Sequence, residues 1–125
     1  MPCGCIWIAK FATHSILTAY RREFSIPQHH FTDMDIVERL IFSLINEGAA
    51  ILEEGVAQRA SDIDVVYTTG YGFPTKRGGP MYYANCIGLD HVVQRICEFQ
   101  RGYQGDQWKL SPLLERLAKQ GKTFI

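Results

Sequence analysis

Glycine, proline and tyrosine crowd residues 67–90, YTTGYGFPTKRGGPMYYANCIGLD, beside Lys76 and Arg77. Two uses of such glycines can be weighed. A phosphate cradle needs a preceding strand, a G-x-G-x-x-G turn and an acidic residue about 20 positions later. Here Gly70 and Gly72 follow a helical pattern, Thr75 stands where the third glycine would be, and no G-x-x-x-x-G-K-[ST] occurs. The other use is architectural. Gly78 and Gly79 admit backbone angles and close approaches that side chains forbid, while Pro74 and Pro80 stiffen the path between helices. Tyr71, Phe73, Tyr82 and Tyr83 then cover the bend with apolar area. The stretch is read as a packing corner. Lys76 and Arg77 are expected in water, the other option being contact with an acidic cofactor group or partner, because arginine favours forked phosphate contacts.

The remaining reactive side chains are scattered. His29 and His30 are adjacent, so they do not share a helix face, and no third ligand lies at metal-like spacing; no metal site is expected. His91 lacks an evident nucleophile or base partner and is read as a surface or cap residue. Cys3, Cys5, Cys86 and Cys97 form no C-x-x-C or zinc-ribbon pattern and are expected to be reduced thiols in an intracellular protein. Asn46 and Glu47 interrupt an apolar helix and must hydrogen-bond if buried. A catalytic carboxylate there would need a cleft. The preferred reading is structural satisfaction, for example a link from this helix to the loop at 70–80.

These residues need helices to hold them. Thr32 three residues before Asp35 is a capping-box pattern, opening a long helix from Asp33 to about Gly55. Ile36, Val37, Leu40, Ile41, Leu44, Ile45, Ile51 and Leu52 form a stripe wide enough for a central helix, with Gly48 allowing close approach of a neighbour. Glu53 and Glu54 sit at the disfavoured end of its dipole, so Gly55 is expected to terminate it. Ser61 with Asp64 reads as the cap of a second helix that buries Ile63, Val66 and Tyr67. Pro80 opens a short helix, Val92 to Phe99 lie on another, and Ser111, Pro112 and Gly121 bracket the last. No segment alternates at period two. The fold class expected is an all-α multi-helix domain at 32–125, with residues 1–31 as either a packed terminal helix or an extension.

The 125 residues suit one domain, and zero formal charge with mixed signs shows no footprint for nucleic acid or an anionic membrane. The stretch CIWIAKFATHSILTAY is broken by Lys10 and His14 and is shorter than the roughly 20 apolar residues of a membrane span. It also lacks the charge-leading layout of a signal peptide.

In order and spacing, NEGAAILEEGVA, SDIDVV and GYGFP followed by RGGPM resemble the C-terminal helical domain of the 3-hydroxyacyl-CoA dehydrogenase family, over about residues 32–121. The form is similar to the second of two helical copies that close the multifunctional fatty-acid β-oxidation enzymes, which also carry enoyl-CoA hydratase activity. The resemblance implies a 3-hydroxyacyl-CoA dehydrogenase parent using NAD, with the catalytic pair and NAD fold on a preceding domain. It implies no catalytic, cofactor or metal residue in this chain. The first copy's I-V-N-R asparagine belongs to the active site; here Ile36-Val37-Glu38-Arg39 places glutamate there. Expected partners are the sister helical domain and the NAD-binding domain, with acyl-CoA as the parent's substrate and homodimerisation in isolation. Asn46, Glu47, Lys76, Arg77, Gly78, Gly79 and Pro80 are carried as structural or ligand-proximal residues. The compartment implied is cytoplasmic for a bacterial parent, peroxisomal or mitochondrial for a eukaryotic one. The rival reading is a free-standing helical module that captures acyl-CoA or a protein, with Lys76 and Arg77 near the phosphates.

Overall fold

The computed structural model describes the backbone of residues 4–124 and the side chains of residues 13–124. Cys3, and the Cys5 side chain, lie outside the described residues. Two compact units are present, Met1–Phe31 and Thr32–Ile125. The first holds α1, Gly4–Glu23, whose last turn carries Arg21 and Arg22 and pairs the Tyr20 and Phe24 rings at 4.5 Å. Ser25, at φ 51°, turns the chain out of it.

The second unit is helical throughout: α2 (Asp33–Glu53), α3 (Ala60–Gly70), α4 (Pro80–Ile87), α5 (Leu89–Arg101) and α6 (Pro112–Lys119), with 3-10 turns at Thr75–Arg77 and Gly105–Gln107. The capping box at Thr32 forms as expected. Asp35 N–H donates to the Thr32 hydroxyl at 3.1 Å, and Thr32 N–H to the Asp35 carboxylate at 3.2 Å. Gly55, left-handed at φ 73°, follows the end of α2.

Burial divides α2 in two. Phe42, Ile45 and Ala49 sink into a core with Ala84 of α4, Leu89, Val92, Ile96 and Phe99 of α5, and Leu114 of α6. Farther along, Ala60 and Ile63 of α3 close on Met81 of α4, with Ile51 and Leu52 packed beside them. Gly48 makes this possible, since a Cβ there would lie 2.5 Å from the Met81 sulfur. The first half of the helix departs from the expected central role: Ile36, Val37 and Leu40 are 47%, 50% and 62% exposed. Their apolar pattern is real, but no element of this unit covers them.

A second departure concerns the start of α3. Arg59 is its cap, and Asp62, not Asp64, accepts the cap N–H at 3.2 Å. Asp64 lies farther along the helix and serves α4, its carboxylate accepting Met81 N–H at 2.7 Å and Tyr82 N–H at 3.0 Å. Val66, expected to be buried with Ile63, is 52% exposed. The corner glycines answer to this arrangement. Gly79 has φ 107°, and a Cβ on it would stand 2.3 Å from an Asp64 carboxylate oxygen.

Gly79→Ala therefore combines left-handed strain with overpacking, and the expected loss is about 3 kcal/mol in urea unfolding. Gly70→Ala, at the end of α3 with open space around it, is expected to be neutral or slightly stabilising.

Candidate functional site

Two helices of this unit begin with proline and lack a side-chain cap from their own N-cap residue: α4 after Gly79 and α6 after Ser111. Proline removes one unsatisfied donor from a first turn, yet the others still need acceptors. Those of α4 find Asp64. Those around the start of α6 find two side chains of α2. Asn46 Oδ1 accepts Ser111 N–H at 2.8 Å while its Nδ2 donates to the Lys109 carbonyl at 2.8 Å, and Glu53 accepts Leu113 N–H at 3.1 Å and faces Arg116 at 3.3 Å.

Asn46 thus has the structural role expected of it, but as a clamp on residues 109–111 and not on the loop at 70–80 offered as an example. The loop from α5 to α6 returns across α2, which sequence spacing does not show. Glu47 is exposed and points away from that role, so the two residues do not act as a pair. Lys76 and Arg77 are exposed on the 3-10 turn, with the Arg77 guanidinium 5.7 Å from the Tyr83 ring. Gly78, Gly79 and Pro80 shape the turn into α4; Gly79 and Pro80 are buried. Burial pushes the Asp64 carboxyl up from its ordinary value, against the pull of the two amides it accepts.

Sequence reasoning missed the densest electrostatic feature, centred on Arg95 of α5. Its Nε donates to Glu38 at 2.7 Å, an Nη contacts Asp35 at 3.1 Å, and the other Nη pairs with Glu98. The guanidinium also lies 4.9 Å from the Phe99 ring centroid, and Arg39 approaches the same ring at 4.5 Å. The three-residue spacings of Asp35 and Glu38 on α2 and of Arg95 and Glu98 on α5 were visible; the pairing of α2 with α5, which joins residues 57 apart, was not. Glu38 also lines a cleft of about 220 Å³ with Met34, Val37, Ile41, Phe42 and His91. His91 meets the Phe42 ring edge-on at 6.1 Å and is exposed, in keeping with a surface position.

A wider cleft of about 600 Å³ runs past Leu52, Leu113, Leu117 and Phe124, with Arg59 as its cation. Among the described residues no three metal-ligating side chains gather, and no helix is long and apolar enough to cross a membrane.

Residues 36–123 match the family of the 3-hydroxyacyl-CoA dehydrogenase C-terminal domain. The peroxisomal bifunctional enzyme of Danio rerio is 43% identical over 113 residues, covering 89% of this chain and 16% of that protein. That of Homo sapiens is 40% identical over 116 residues, covering 92% of this chain and 15% of that protein. The glyoxysomal fatty acid beta-oxidation multifunctional protein MFP-a of Cucumis sativus is 38% identical over 92 residues, 74% of this chain and 13% of that protein. The chain thus spans less than a fifth of the length of these relatives. The two bifunctional-enzyme alignments are longer than Thr32–Ile125, so the likeness reaches into the unit that holds α1.

Asn46→Ala is expected to cost about 2 kcal/mol in urea unfolding, because it strands a donor and an acceptor near Ser111, whereas Glu47→Ala should stay within about 0.5 kcal/mol. Acid should act on the other end of α2. The Thr32 hydroxyl, then its amide, hold the Asp35 carboxyl below its ordinary 3.8, and Arg95 holds Glu98 below its ordinary 4.5. Both contributions are complete above those ordinary values and are lost as pH falls through the lowered folded ones. Urea midpoints measured from about pH 5 down to about pH 3 should fall, and Asp35→Asn should flatten that fall.

Proposed function

Because this chain belongs to the 3-hydroxyacyl-CoA dehydrogenase C-terminal-domain family, we propose that it serves as a non-catalytic helical domain of a multifunctional fatty-acid β-oxidation enzyme. Its helices brace the sister helical domain and the domain that binds NAD, while the hydride transfer on 3-hydroxyacyl-CoA happens on those neighbours. The relatives are named as peroxisomal or glyoxysomal enzymes, which supports a parent in one of those compartments.

One observation carries this reading. Glu38 stands where the family's active helix has asparagine, and its carboxylate is already committed to Arg95 at 2.7 Å. A carboxylate held in that way supplies neither the neutral amide donor of the family pattern nor a free base. The dinucleotide-binding α/β site has a strand, a tight glycine turn and a helix N-terminus, and the described residues contain no strand, which favours assigning NAD to a neighbouring domain. Support for the bracing role comes from surface composition. Met34, Val37 and Leu40 on α2, with Val65 and Val66 on α3 and Tyr82 on α4, are each at least half exposed, the pattern of faces that another protein surface covers. The acyl-CoA module has less behind it, because Lys76 and Arg77 stand clear of the 600 Å³ cleft.

The purified chain, mixed with NADH and acetoacetyl-CoA, is expected to leave NADH absorbance unchanged and to give no binding heat with acetoacetyl-CoA alone. NADH oxidation above the buffer rate would overturn the non-catalytic reading, and a saturable heat would revive the module. Size-exclusion chromatography with light scattering should show a dimer at high concentration, with the exposed apolar faces standing in for the sister domain.

A further inference from the structure

Three residues of the α2 stripe expected to be core, Ile36, Val37 and Leu40, are exposed, and they lie beside carboxylates. Met34, Val37 and Leu40, 65%, 50% and 62% exposed, recur every three residues along one face. Met34 and Val37 line the 220 Å³ cleft with Ile41, Phe42, Tyr83 and Ile87, and Leu40 continues the exposed face beyond it. Glu38 lines the cleft and shares the guanidinium of Arg95 with Asp35 and Glu98, so this quartet carries a formal excess of two negative charges. Asp33 adds another at the helix start. Arg39 compensates less, being turned toward the Phe99 ring and the Tyr103 carbonyl.

Resting on the reading that other domains of one polypeptide cover this one, we propose that the N-terminal half of α2 seats a segment of that polypeptide, outside residues 1–125, with an apolar centre flanked by lysine or arginine. Charge complementarity selects the chemistry of this occupant. An apolar stripe excludes water best against another apolar surface, and the carboxylate excess around it favours a cationic rim while opposing an acidic one. The same charge repels the phosphates of coenzyme A, so the cleft is a protein seat and not a second substrate site. Length makes such a partner available, since the chain covers only 16% and 15% of two bifunctional relatives.

The test places p-benzoylphenylalanine at Leu40 or, separately, at Tyr82 in the complete polypeptide that contains this chain, followed by irradiation and sequencing of the crosslinked peptides. Both positions are exposed, at 62% and 52%, so the substitutions leave the core intact. Leu40 should capture, several-fold above an exposed Glu47 control, a segment of the same polypeptide outside residues 1–125 that carries lysine or arginine beside apolar residues. Capture of an acidic segment, of residues within 1–125 or of a second copy would overturn the inference. So would silence at Leu40 while Tyr82 captures a neighbouring domain, an outcome that leaves the bracing role standing. Silence at both positions would remove the bracing role as well.

Discussion

The N-termini of α4 and α6 are satisfied from outside, and much of this unit follows from that requirement. Each begins at a proline, and neither takes a side-chain bond from its own cap residue. Buried backbone donors left without acceptors are costly, so both first turns must dock where an earlier helix offers one. Asp64 of α3 accepts two amides of α4, and Asn46 and Glu53 of α2 accept those of Ser111 and Leu113. Short helices of eight residues, marginal alone, are thereby fixed in register against longer ones. The glycine-rich corner is subordinate to this. Gly79 is there because Asp64 needs the space a side chain would fill.

The same requirement explains a placement that looked unfavourable. Glu53 sits near the C-terminus of α2, where that helix's own dipole opposes a carboxylate. Its oxygens point at the positive start of α6 and at Arg116, so the neighbouring helix offsets the local cost. Asn85 repeats the theme at the other end, accepting Phe124 N–H at 3.0 Å and holding the last described residue to α4.

What the sequence made legible was local. The Thr32 and Asp35 box, the glycine after α2, and the proline starts of α4 and α6 depend on neighbours within a turn, and each appears where its residues put it. Long-range partners were not legible. Asp64 has the spacing of a cap to Ser61, yet it is spent on α4; Asn46 reaches residues 63 and 65 positions away; Glu38 finds Arg95 across 57. Apolar periodicity also said that Ile36, Val37 and Leu40 want cover without saying who supplies it. Family membership settles the kind of domain, and the exposed first half of α2 beside the Arg95 cluster is the apolar surface that no element of this unit covers.

If side chains of α2 and α3 hold the later helices in place, the first-turn amides of α4 and α6 should open only when the whole unit opens. Native-state hydrogen exchange at Met81, Tyr82, Ser111 and Leu113 measures this directly, because uncapped first-turn amides exchange through local fraying. Protection equal to that of the Ile45 and Ile96 core amides is the expected result. Exchange near the unprotected rate, with the core amides still protected, would contradict it.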